Sequence, residues 1–436
     1  MTLTKLTADK GLTSCFRHGL SLNSLVFFLT GLIIFLNPFP HLTGLTNIIS
    51  GLIFLLLVYM FYCKTINLKW ETPFLIPFAC YVIISVVSTV FALDKAESFG
   101  DIFSHLLRYI ALFYIIINYF NTKIRFRYLL QIIIVSGLIF SIFSLFYFYI
   151  IQGHSLTTRF GTGFTDSAIC SMGIILVFTF ILSLVEIYQT QNRTVKYLLI
   201  IGLAFPLSAS LLTQSKGTIL SIIASMMVIA LFKKGKRAIF FAILFCVVIF
   251  SCLYSPIQNR IKDSRTFNIR IGLYLYSIEI IKDYPIVGTG FSLDTFRNPN
   301  LIDKHKYKKR IPKKYRSEPK FWWPHNMFLS IGVRTGILGL TIYCLLLISF
   351  IRLAVRLIRH GKDSFIQINA VYVLSSFTMF CTIGLFTPVF YHLFDFTFFT
   401  IFAMLSILWS INKKNPEKKI KKDGKTMKQL SEKRYE

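Results

Sequence analysis

Runs of about twenty apolar residues recur along most of this chain, and each run is long enough to cross a bilayer as an α-helix. Of the 436 residues, 54% are hydrophobic, and the mean hydropathy is +0.62. A soluble domain of this length would be less apolar. The sequence therefore predicts an all-α, polytopic membrane protein.

Twelve transmembrane helices are predicted from these runs. The connections between them alternate in charge: one set is rich in Lys and Arg, whereas the other has almost none, and its 94–101 loop contains Asp94, Glu97 and Asp101. Short basic loops remain in the cytoplasm, so both termini are predicted to be cytoplasmic. The predicted spans are 22–40, 44–63, 73–93, 103–120, 128–151, 167–187, 197–214, 217–232, 238–255, 326–350, 367–386 and 393–411.

This topology divides the chain into four regions. Residues 1–255 hold transmembrane helices 1–9, and residues 256–325 form one large loop on the outer side. Residues 326–411 hold helices 10–12, and residues 412–436 form a basic cytoplasmic tail. Long loops translocate largely regardless of charge, so the basic outer loop is compatible with this orientation. The tail is expected to be disordered or to lie on anionic headgroups.

Several functional classes are not indicated by the sequence. The net charge of +29 arises mostly from the cytoplasmic loops and says little about partners. The eight cysteines form no Cys-x-x-Cys pair, and the N-terminus lacks the pattern of a cleavable signal. Lys216-Gly-Thr218 lacks the upstream glycine spacing of a nucleotide P-loop. No carboxylate cluster falls on the outer side, so no metal or other cofactor is expected.

The outer loop has two features of its own. Ile271, Leu275, Ile278 and Ile281 recur at helical spacing, which predicts an amphipathic helix over 268–284 on the membrane–water boundary. The stretch 304–320 is strongly basic. It is either a solvated loop near lipid headgroups or a clamp for a phosphorylated glycolipid.

One imidazole and several cations fall on the predicted outer side. His325 and Asn326 stand at the mouth of a span, with nine residues before Gly336 and two more before Gly339. Taken singly, such residues usually contact headgroups. Cations from separate segments that converge beside a histidine would suit a pyrophosphate-headed lipid, because the Arg fork binds phosphate oxygens bidentately. These cations are Arg159, Lys216, Arg260, Arg265 and Arg270.

Three further ionisable residues lie near the outer ends of predicted spans. His105 and Arg108 are one helical turn apart in the fourth span, and Asp395 lies in the last. Buried ionisable groups in a span indicate either a functional site or a polar tie between helices, and both interpretations stay open.

The run His325-Asn326, nine residues, Gly336-x-x-Gly339 resembles the motif of the O-antigen ligases, within the wider O-antigen ligase and polymerase superfamily. The twelve spans, cytoplasmic termini and large outer loop also resemble that family. Arg270 followed by Asp283-Tyr-Pro-Ile-Val-Gly-Thr-Gly290 is similar to its Arg…Pro-x-x-Gly-x-Gly run. The chain departs from the family at Lys216, where relatives often carry Arg, and at Arg334, where many carry Glu.

The resemblance implies transfer of a polysaccharide from undecaprenyl pyrophosphate to a sugar hydroxyl of lipid A–core. The reaction would occur on the periplasmic face of the bacterial inner membrane, by an inverting mechanism that needs no metal. His325 would be the general base, with Asn326 as a nearby hydrogen-bonding residue. Arg270 and Lys216 would bind the pyrophosphate, with Arg159 and Arg265 as weaker candidates. Membrane lipids and the two substrates are the expected partners, and nucleic acid is not one.

Three other functions remain open from the sequence. An O-antigen polymerase would use the same donor with a lipid-linked glycan acceptor. A related oligosaccharyltransferase would attach the glycan to protein, although such enzymes tend to have a further outer domain. A lipid-linked glycan transporter is disfavoured because the chain shows no internal repeat and its polar groups gather on one face.

Overall fold

The computed structural model describes residues 21–66, 68–161, 169–232, 264–316, 323–387 and 392–432, of which residues 40, 169–171, 264–266 and 415–432 are described by their backbone alone. Regular structure within these ranges is entirely helical. The helices are α1 (Leu22–Leu36), α2 (Thr43–Tyr62), α3 (Leu75–Val90), α4 (Lys95–Tyr119), α5 (Lys123–Ile151), α6 (Ile169–Gln189), α7 (Arg193–Leu212), α8 (Lys216–Phe232), α9 (Ser264–Asp283), α10 (Asp294–Arg297), α11 (Lys304–Arg310), α12 (Met327–His360), α13 (Ser364–Gly384) and α14 (His392–Glu432). Short 3-10 turns occupy Pro40–Leu42 and Lys313–Tyr315, and α4 and α5 each contain one π-helical turn, at Ile102–Leu107 and Phe146–Ile151.

These helices agree with the predicted spans wherever the two can be compared. Within the described ranges, eight helices are long and apolar enough to cross a membrane, and α1, α3 and α8 are shorter apolar helices. They lie at eleven of the twelve predicted positions. The remaining span, 238–255, lies outside the described residues, so the count of twelve stays a prediction.

Helices α6, α13 and α14 form the centre of the bundle, because they are the most deeply buried of the long helices. Aromatic rings fill the space between α12, α13 and α14: Phe350 stacks on Phe377 at 4.1 Å between ring centroids and lies 4.7 Å from Phe402. Helices α2 and α7 are peripheral and expose large apolar side chains such as Phe54 and Leu55. Exposed apolar faces of this kind suit contact with lipid chains.

The connections segregate to two ends of the bundle as the charge pattern predicts. At one end, the Lys123 ammonium contacts the Asp363 carboxylate, and the backbone N–H of Lys69 donates to Asn118 at 2.7 Å. At the other end, the backbone N–H of Leu93 donates to the carbonyl of Thr289 at 3.0 Å. We call this second end, which holds the described part of the 256–325 loop, the loop end. Its assignment to the periplasm remains a prediction.

Helix α9 is the predicted loop helix, and the residues that it buries against protein differ from those of the apolar stripe predicted to face the membrane–water boundary. Leu273, Tyr276 and Ile280 are buried, whereas Ile278 of the predicted stripe is exposed. The reason is that α9 lies on α11, α12 and the 3-10 turn at Lys313–Tyr315, so its core-facing side is set by protein contacts. A Cβ on Gly272 would lie 2.4 Å from the Tyr315 carbonyl oxygen, which shows how closely that turn approaches the helix.

Part of the basic stretch 304–320 has a structural role. Lys306 and Arg310 each lie 2.7 Å from a carboxylate oxygen of Asp283 at the end of α9, and the Tyr307 hydroxyl donates to the same carboxylate at 3.0 Å. Hydrogen bonds from Arg310 and Lys306 hold the pKa of Asp283 well below its usual range. These two cations therefore fold the loop onto α9.

The basic tail continues the last helix. The sequence predicts that the tail is either disordered or lies on headgroups. In the structure, α14 extends as far as Glu432. Lys, Glu and Gln in this segment are good helix formers, whereas Pro416 and Gly424 disfavour a helix interior. The backbone is helical over 412–432, and contact of this segment with lipid headgroups stays a prediction.

Candidate active site

His325 lies at the loop end, immediately before α12. Its φ of +47° falls in the left-handed region, which is uncommon for residues other than glycine. The next residue, Asn326, is the N-cap of α12, and its Oδ1 accepts hydrogen bonds from the N–H groups of Phe328 (2.9 Å) and Leu329 (3.1 Å). The cap fixes the backbone beside His325, so the imidazole is held at the helix terminus.

Arg270 and α8 approach each other through the ring of Phe386. The Arg270 guanidinium carbon lies 5.1 Å from the centroid of this ring, within the range of a cation–π contact. The ring also lies so near α8 that a Cβ on Gly217 would be 2.9 Å from its Cδ2 atom. Phe386 therefore brings Arg270 to the N-terminus of α8, which begins at Lys216.

Tyr274, one turn after Arg270 on α9, links His325 to Leu385, the residue before Phe386. Its hydroxyl donates a hydrogen bond to the Leu385 carbonyl at 2.9 Å and lies 3.4 Å from the His325 carbonyl oxygen. The Asn326 side-chain amide also faces the Leu385 carbonyl, at 3.4 Å. The structure thus gathers His325, Arg270 and the start of α8 around Leu385 and Phe386.

The surroundings of His325 favour its neutral form. Burial and the positive charge of Arg270 lower the pKa of the imidazole from 6.5 to about 4. A neutral imidazole has one ring nitrogen free to accept a proton. At neutral pH the group is therefore in the protonation state that a general base requires.

Arg159 is held next to the loop that precedes Lys216. Its Nε donates to the Thr213 carbonyl at 2.9 Å, and the N–H of Phe160 donates to the Leu212 carbonyl at 2.9 Å. The Gln214 side-chain amide forms a further hydrogen bond between the same two segments, because it donates to the Thr157 carbonyl at 3.1 Å. Two predicted cations, Arg159 and Lys216, consequently share one corner of the loop end.

The remaining predicted cations can be placed only in part. Arg265 lies in the first turns of α9, on the same helix as Arg270, and only its backbone is described. Arg260 lies outside the described residues. The contacts place His325 and Arg270 near the start of α8, where Lys216 lies, and Arg159 beside Thr213 just before that start, and they leave the position of the Arg265 side chain open.

The glycines of the two motifs meet each other. Helix α12 breaks at Gly336, which has φ +65° and ψ −167°, a conformation essentially restricted to glycine. The 285–290 loop packs into this break: Ile337 N–H donates to the Pro285 carbonyl at 2.8 Å, and Gly290 N–H donates to the Arg334 carbonyl at 3.1 Å. A Cβ on Gly336 would lie 2.2 Å from the Ile286 carbonyl oxygen. Backbone hydrogen bonds therefore join the segment of the Gly-x-Gly motif to the helix that carries the glycines of the His motif.

Arg334 reinforces that contact from inside the bundle. Its side chain is fully buried, its Nε donates to the Phe291 carbonyl at 2.5 Å, and its guanidinium carbon lies 4.2 Å from the centroid of the Phe291 ring. Its own carbonyl accepts a hydrogen bond from the Ser88 hydroxyl at 2.6 Å. Arg334 therefore attaches the 285–291 segment to α12.

Two polar contacts join α4 to α14 at the same end. His105 Nδ1 lies 2.8 Å from the Asp395 carboxylate, and the Tyr109 hydroxyl lies 2.5 Å from His392 Nδ1. These contacts correspond to the polar tie between helices that the sequence left as one of two interpretations. Arg108, the third ionisable residue of this group, lines a separate cavity.

The functional groups that the structure describes around His325 at the loop end are Arg and Lys cations and an imidazole. Among the residues that the structure describes, no group of three or more His, Cys, Asp or Glu side chains could hold a metal ion. An anion with several oxygens, such as a phosphate, matches this set of side chains.

Tyr274, Leu385 and Phe386 are the site residues that sequence reasoning missed. Tyr274 could have been found, because it follows Arg270 by four residues and so lies on the same face of α9. Leu385 and Phe386 carry no comparable signal, since an apolar pair after a span is typical of any helix end.

Comparison with known families supports the resemblance read from the motifs. Residues 201–344 match a family model described as O-antigen ligase, and this range includes Lys216, Arg270 and His325. No curated protein matches the chain. Over this range the chain is therefore similar to the O-antigen ligases, and its long apolar helices are typical of a multi-pass membrane protein.

Proposed function

We propose that this protein is an O-antigen ligase that transfers polysaccharide from undecaprenyl pyrophosphate to a sugar hydroxyl of lipid A–core. The reaction takes place on the periplasmic face of the bacterial inner membrane, with both termini in the cytoplasm. The observation that supports this proposal most directly is the meeting of His325, Arg270 and the N-terminus of α8 around Leu385 and Phe386.

The donor pyrophosphate binds to Arg270 and Lys216 in this proposal. Lys216 is the first residue of α8, and the positive end of the helix dipole adds to the attraction for an anion. Arg159 and Arg265 are further candidates for the same role. Because negative charge grows on the pyrophosphate as it leaves, cations held in advance at this position stabilise the transition state. The proposal is metal-independent, because these side chains take the charge-neutralising role.

His325 activates the acceptor. The neutral imidazole removes the proton of the acceptor hydroxyl while the oxygen attacks the anomeric carbon. A new C–O bond forms as the bond between that carbon and the pyrophosphate oxygen breaks, and the leaving group departs with the bonding electrons. A single direct displacement inverts the configuration at the anomeric carbon.

Replacement of the imidazole tests the base. We expect His325→Ala to lose ligation at least 100-fold, in line with the roughly 10²- to 10⁴-fold contribution of general bases, while it inserts normally into the membrane. The assay follows transfer from a lipid-linked polymer to purified lipid A–core. Full activity in this variant would remove His325 from the mechanism.

Arg270→Lys tests the pyrophosphate contact. The lysine keeps the charge but loses both the planar fork and the stacking on Phe386, so turnover should fall although the net charge is unchanged. Lys216→Arg is the matched control, because it restores the residue that relatives often carry and should be tolerated. An unchanged rate in Arg270→Lys would indicate that Arg270 only contacts headgroups.

A strain that lacks the protein separates ligase from polymerase. Loss of a ligase leaves bare lipid A–core and accumulates lipid-linked polymer, whereas loss of a polymerase leaves core that carries a single repeat unit. A lipopolysaccharide gel shows which pattern occurs. The second pattern would replace the proposed acceptor with a lipid-linked glycan.

A further inference from the structure

The backbone at His325 has a conformation that neighbouring groups must maintain. Its φ of +47° lies in the left-handed region, and a residue other than glycine keeps such a torsion only where the surrounding structure holds it. Backbone strain of this kind clusters at functional sites, where it contributes to the organisation of the side chains. The contacts around residue 325 therefore determine where its imidazole lies.

Asn326 holds this segment from the side of α12. Its own backbone is extended, with φ −155° and ψ 129°, and its Oδ1 accepts hydrogen bonds from two N–H groups of the first helical turn. Its amide nitrogen lies 3.4 Å from the carbonyl oxygen of Leu385. The residue that follows His325 is thus attached both to α12 and to the end of α13.

The Tyr274 hydroxyl holds the same segment from the side of α9. It lies between two carbonyl groups, because it donates to that of Leu385 at 2.9 Å and is 3.4 Å from that of His325. Leu385 is the C-cap of α13, and the last carbonyl groups of a helix receive no hydrogen bond from within it. The hydroxyl therefore supplies a donor that the helix end needs, and its proton offsets the repulsion between the two oxygens.

Two properties of Tyr274 suit it to this place. Burial raises the pKa of its hydroxyl above the usual 10.0, although Arg270 and a hydrogen bond with Asn326 act in the opposite direction, so the group remains a donor at neutral pH. Arg270 precedes it by four residues, so both side chains leave α9 on one face. One face of α9 thus carries the candidate pyrophosphate ligand and the hydroxyl beside the candidate base.

We propose that Tyr274 is a positioning residue, whose hydroxyl keeps His325 in the backbone conformation from which the imidazole accepts the proton of the acceptor. The inference rests on the proposed function, in which His325 is the general base. Tyr274 contacts carbonyl groups of the protein, so it acts through His325. Because Arg270 and Tyr274 stand on one helix, α9 couples the position of the pyrophosphate to that of the base.

A merely structural role predicts a different result. If Tyr274 only fastened α9 to the end of α13, Tyr274→Phe would lower Tm, and the molecules that fold would turn over normally. If Tyr274 positions His325, loss of the hydroxyl lets residue 325 leave the left-handed region, and the relief of strain offsets the lost hydrogen bond. Tm then changes little, whereas kcat falls.

Steady-state kinetics of ligation test this distinction. We expect Tyr274→Phe to lower kcat about 10- to 100-fold, because a misplacement of about 1 Å can cost that much. KM for the lipid-linked donor should stay the same, since Arg270 and Lys216 are intact. In the His325→Ala background the substitution should cause no further loss. An unchanged kcat in the single variant, or a further loss in the double variant, would overturn the proposal.

Tyr307→Phe is the matched control. Tyr307 belongs to the same outer loop, and its hydroxyl donates to the Asp283 carboxylate at 3.0 Å, a contact that folds the loop onto α9. Its removal should lower Tm and leave kcat per folded molecule unchanged. If Tyr274→Phe shows this same pattern, Tyr274 is a structural tie and the proposal is wrong.

The protonation of His325 gives a readout that does not depend on ligation. Diethyl pyrocarbonate modifies the neutral imidazole, so its rate of reaction at residue 325, followed by mass spectrometry, reports the neutral fraction. Burial and Arg270 lower the pKa of His325 to about 4, so the neutral fraction in the unmodified protein should be the same at pH 7 and pH 5.5. In Tyr274→Phe the imidazole leaves this environment, and the neutral fraction at pH 5.5 should fall, by about eightfold if the pKa returns to 6.5.

The outcomes separate this inference from the proposed function. If His325→Ala keeps full ligation while Tyr274→Phe changes the modification of His325 at pH 5.5, Tyr274 holds the imidazole and the assigned chemistry is wrong. If His325→Ala is inactive while Tyr274→Phe keeps both its kcat and its modification profile, the chemistry stands and the positioning role is wrong.

Discussion

Arg270 on α9 stacks on Phe386 beyond the end of α13, with 5.1 Å between the guanidinium carbon and the ring centroid. The two residues are far apart in sequence, and the contact joins the outer loop to the transmembrane bundle. The same ring also touches the start of α8. The position of the main candidate pyrophosphate ligand therefore depends on a single phenylalanine.

Replacement of this ring should impair transfer without removing any charge. A cation–π contact contributes about 0.5–2 kcal/mol, so Phe386→Leu should lower kcat/KM roughly 2- to 30-fold. Phe386→Tyr keeps the aromatic face and should retain most of the activity. The measurement is ligation by equal amounts of purified protein, and equal losses in the two variants would show that the ring face does not matter.

The pH dependence of catalysis should reflect the lowered pKa of His325. Burial and the charge of Arg270 keep the imidazole neutral down to about pH 4, so kcat/KM should show no loss from this group between pH 7 and 5. Arg270→Gln removes one of the two causes and should move the acidic limb to higher pH. A wild-type profile that falls through pH 6.5 would contradict this assignment.

The same shift has a consequence for folding. Because the folded-state pKa of His325 is lower than the unfolded value of 6.5, the unfolded chain binds a proton first as pH falls. The group therefore has no effect on stability above pH 6.5 and reduces stability as pH falls from 6.5 to about 4. In a series of thermal melts, His325→Gln should show a smaller loss of Tm across this window than the unmodified protein.

The break in α12 should not tolerate a side chain. In Gly336→Ala the residue would keep a φ of +65°, which costs about 1–3 kcal/mol, and its Cβ would clash with the Ile286 carbonyl. We expect a clear fall in Tm and in the yield of folded protein. Gly44→Ala, at an open helical position, should instead leave Tm unchanged or raise it slightly. A Gly336→Ala variant as stable as the unmodified protein would show that the break is not required.

Variants of Asn326 should separate helix capping from chemistry. Asn326→Ala removes the acceptor for two backbone N–H groups and should lower stability by about 1 kcal/mol. Asn326→Ser can still cap α12 and should restore both Tm and activity. If Asn326→Ser is stable but inactive, the amide has a direct part in the reaction that the cap does not explain.

The sequence by itself determined the membrane class, the positions of eleven apolar helices and the two ends to which their connections belong. The bilayer imposes one requirement on every span: about twenty apolar residues in a helix whose backbone hydrogen bonds form within the helix itself. Such a run can be recognised from the local sequence. The motif around His325 also predicted a candidate site, and this motif falls within residues 201–344, which match a family model described as O-antigen ligase.

Tertiary structure alone decided how the site is assembled. The sequence could not show that Phe386 and Leu385 join α9 to α8, because an apolar residue after a span has the same local pattern whether it meets lipid or Arg270. Nor could the sequence show which side of α9 packs on protein: protein covers Tyr276 and Ile280, whereas Ile278 of the predicted boundary stripe is exposed, and apolar spacing alone does not distinguish a protein contact from a lipid contact. The fit of the 285–290 loop into the break at Gly336 also depends on backbone atoms, which carry no side-chain signal.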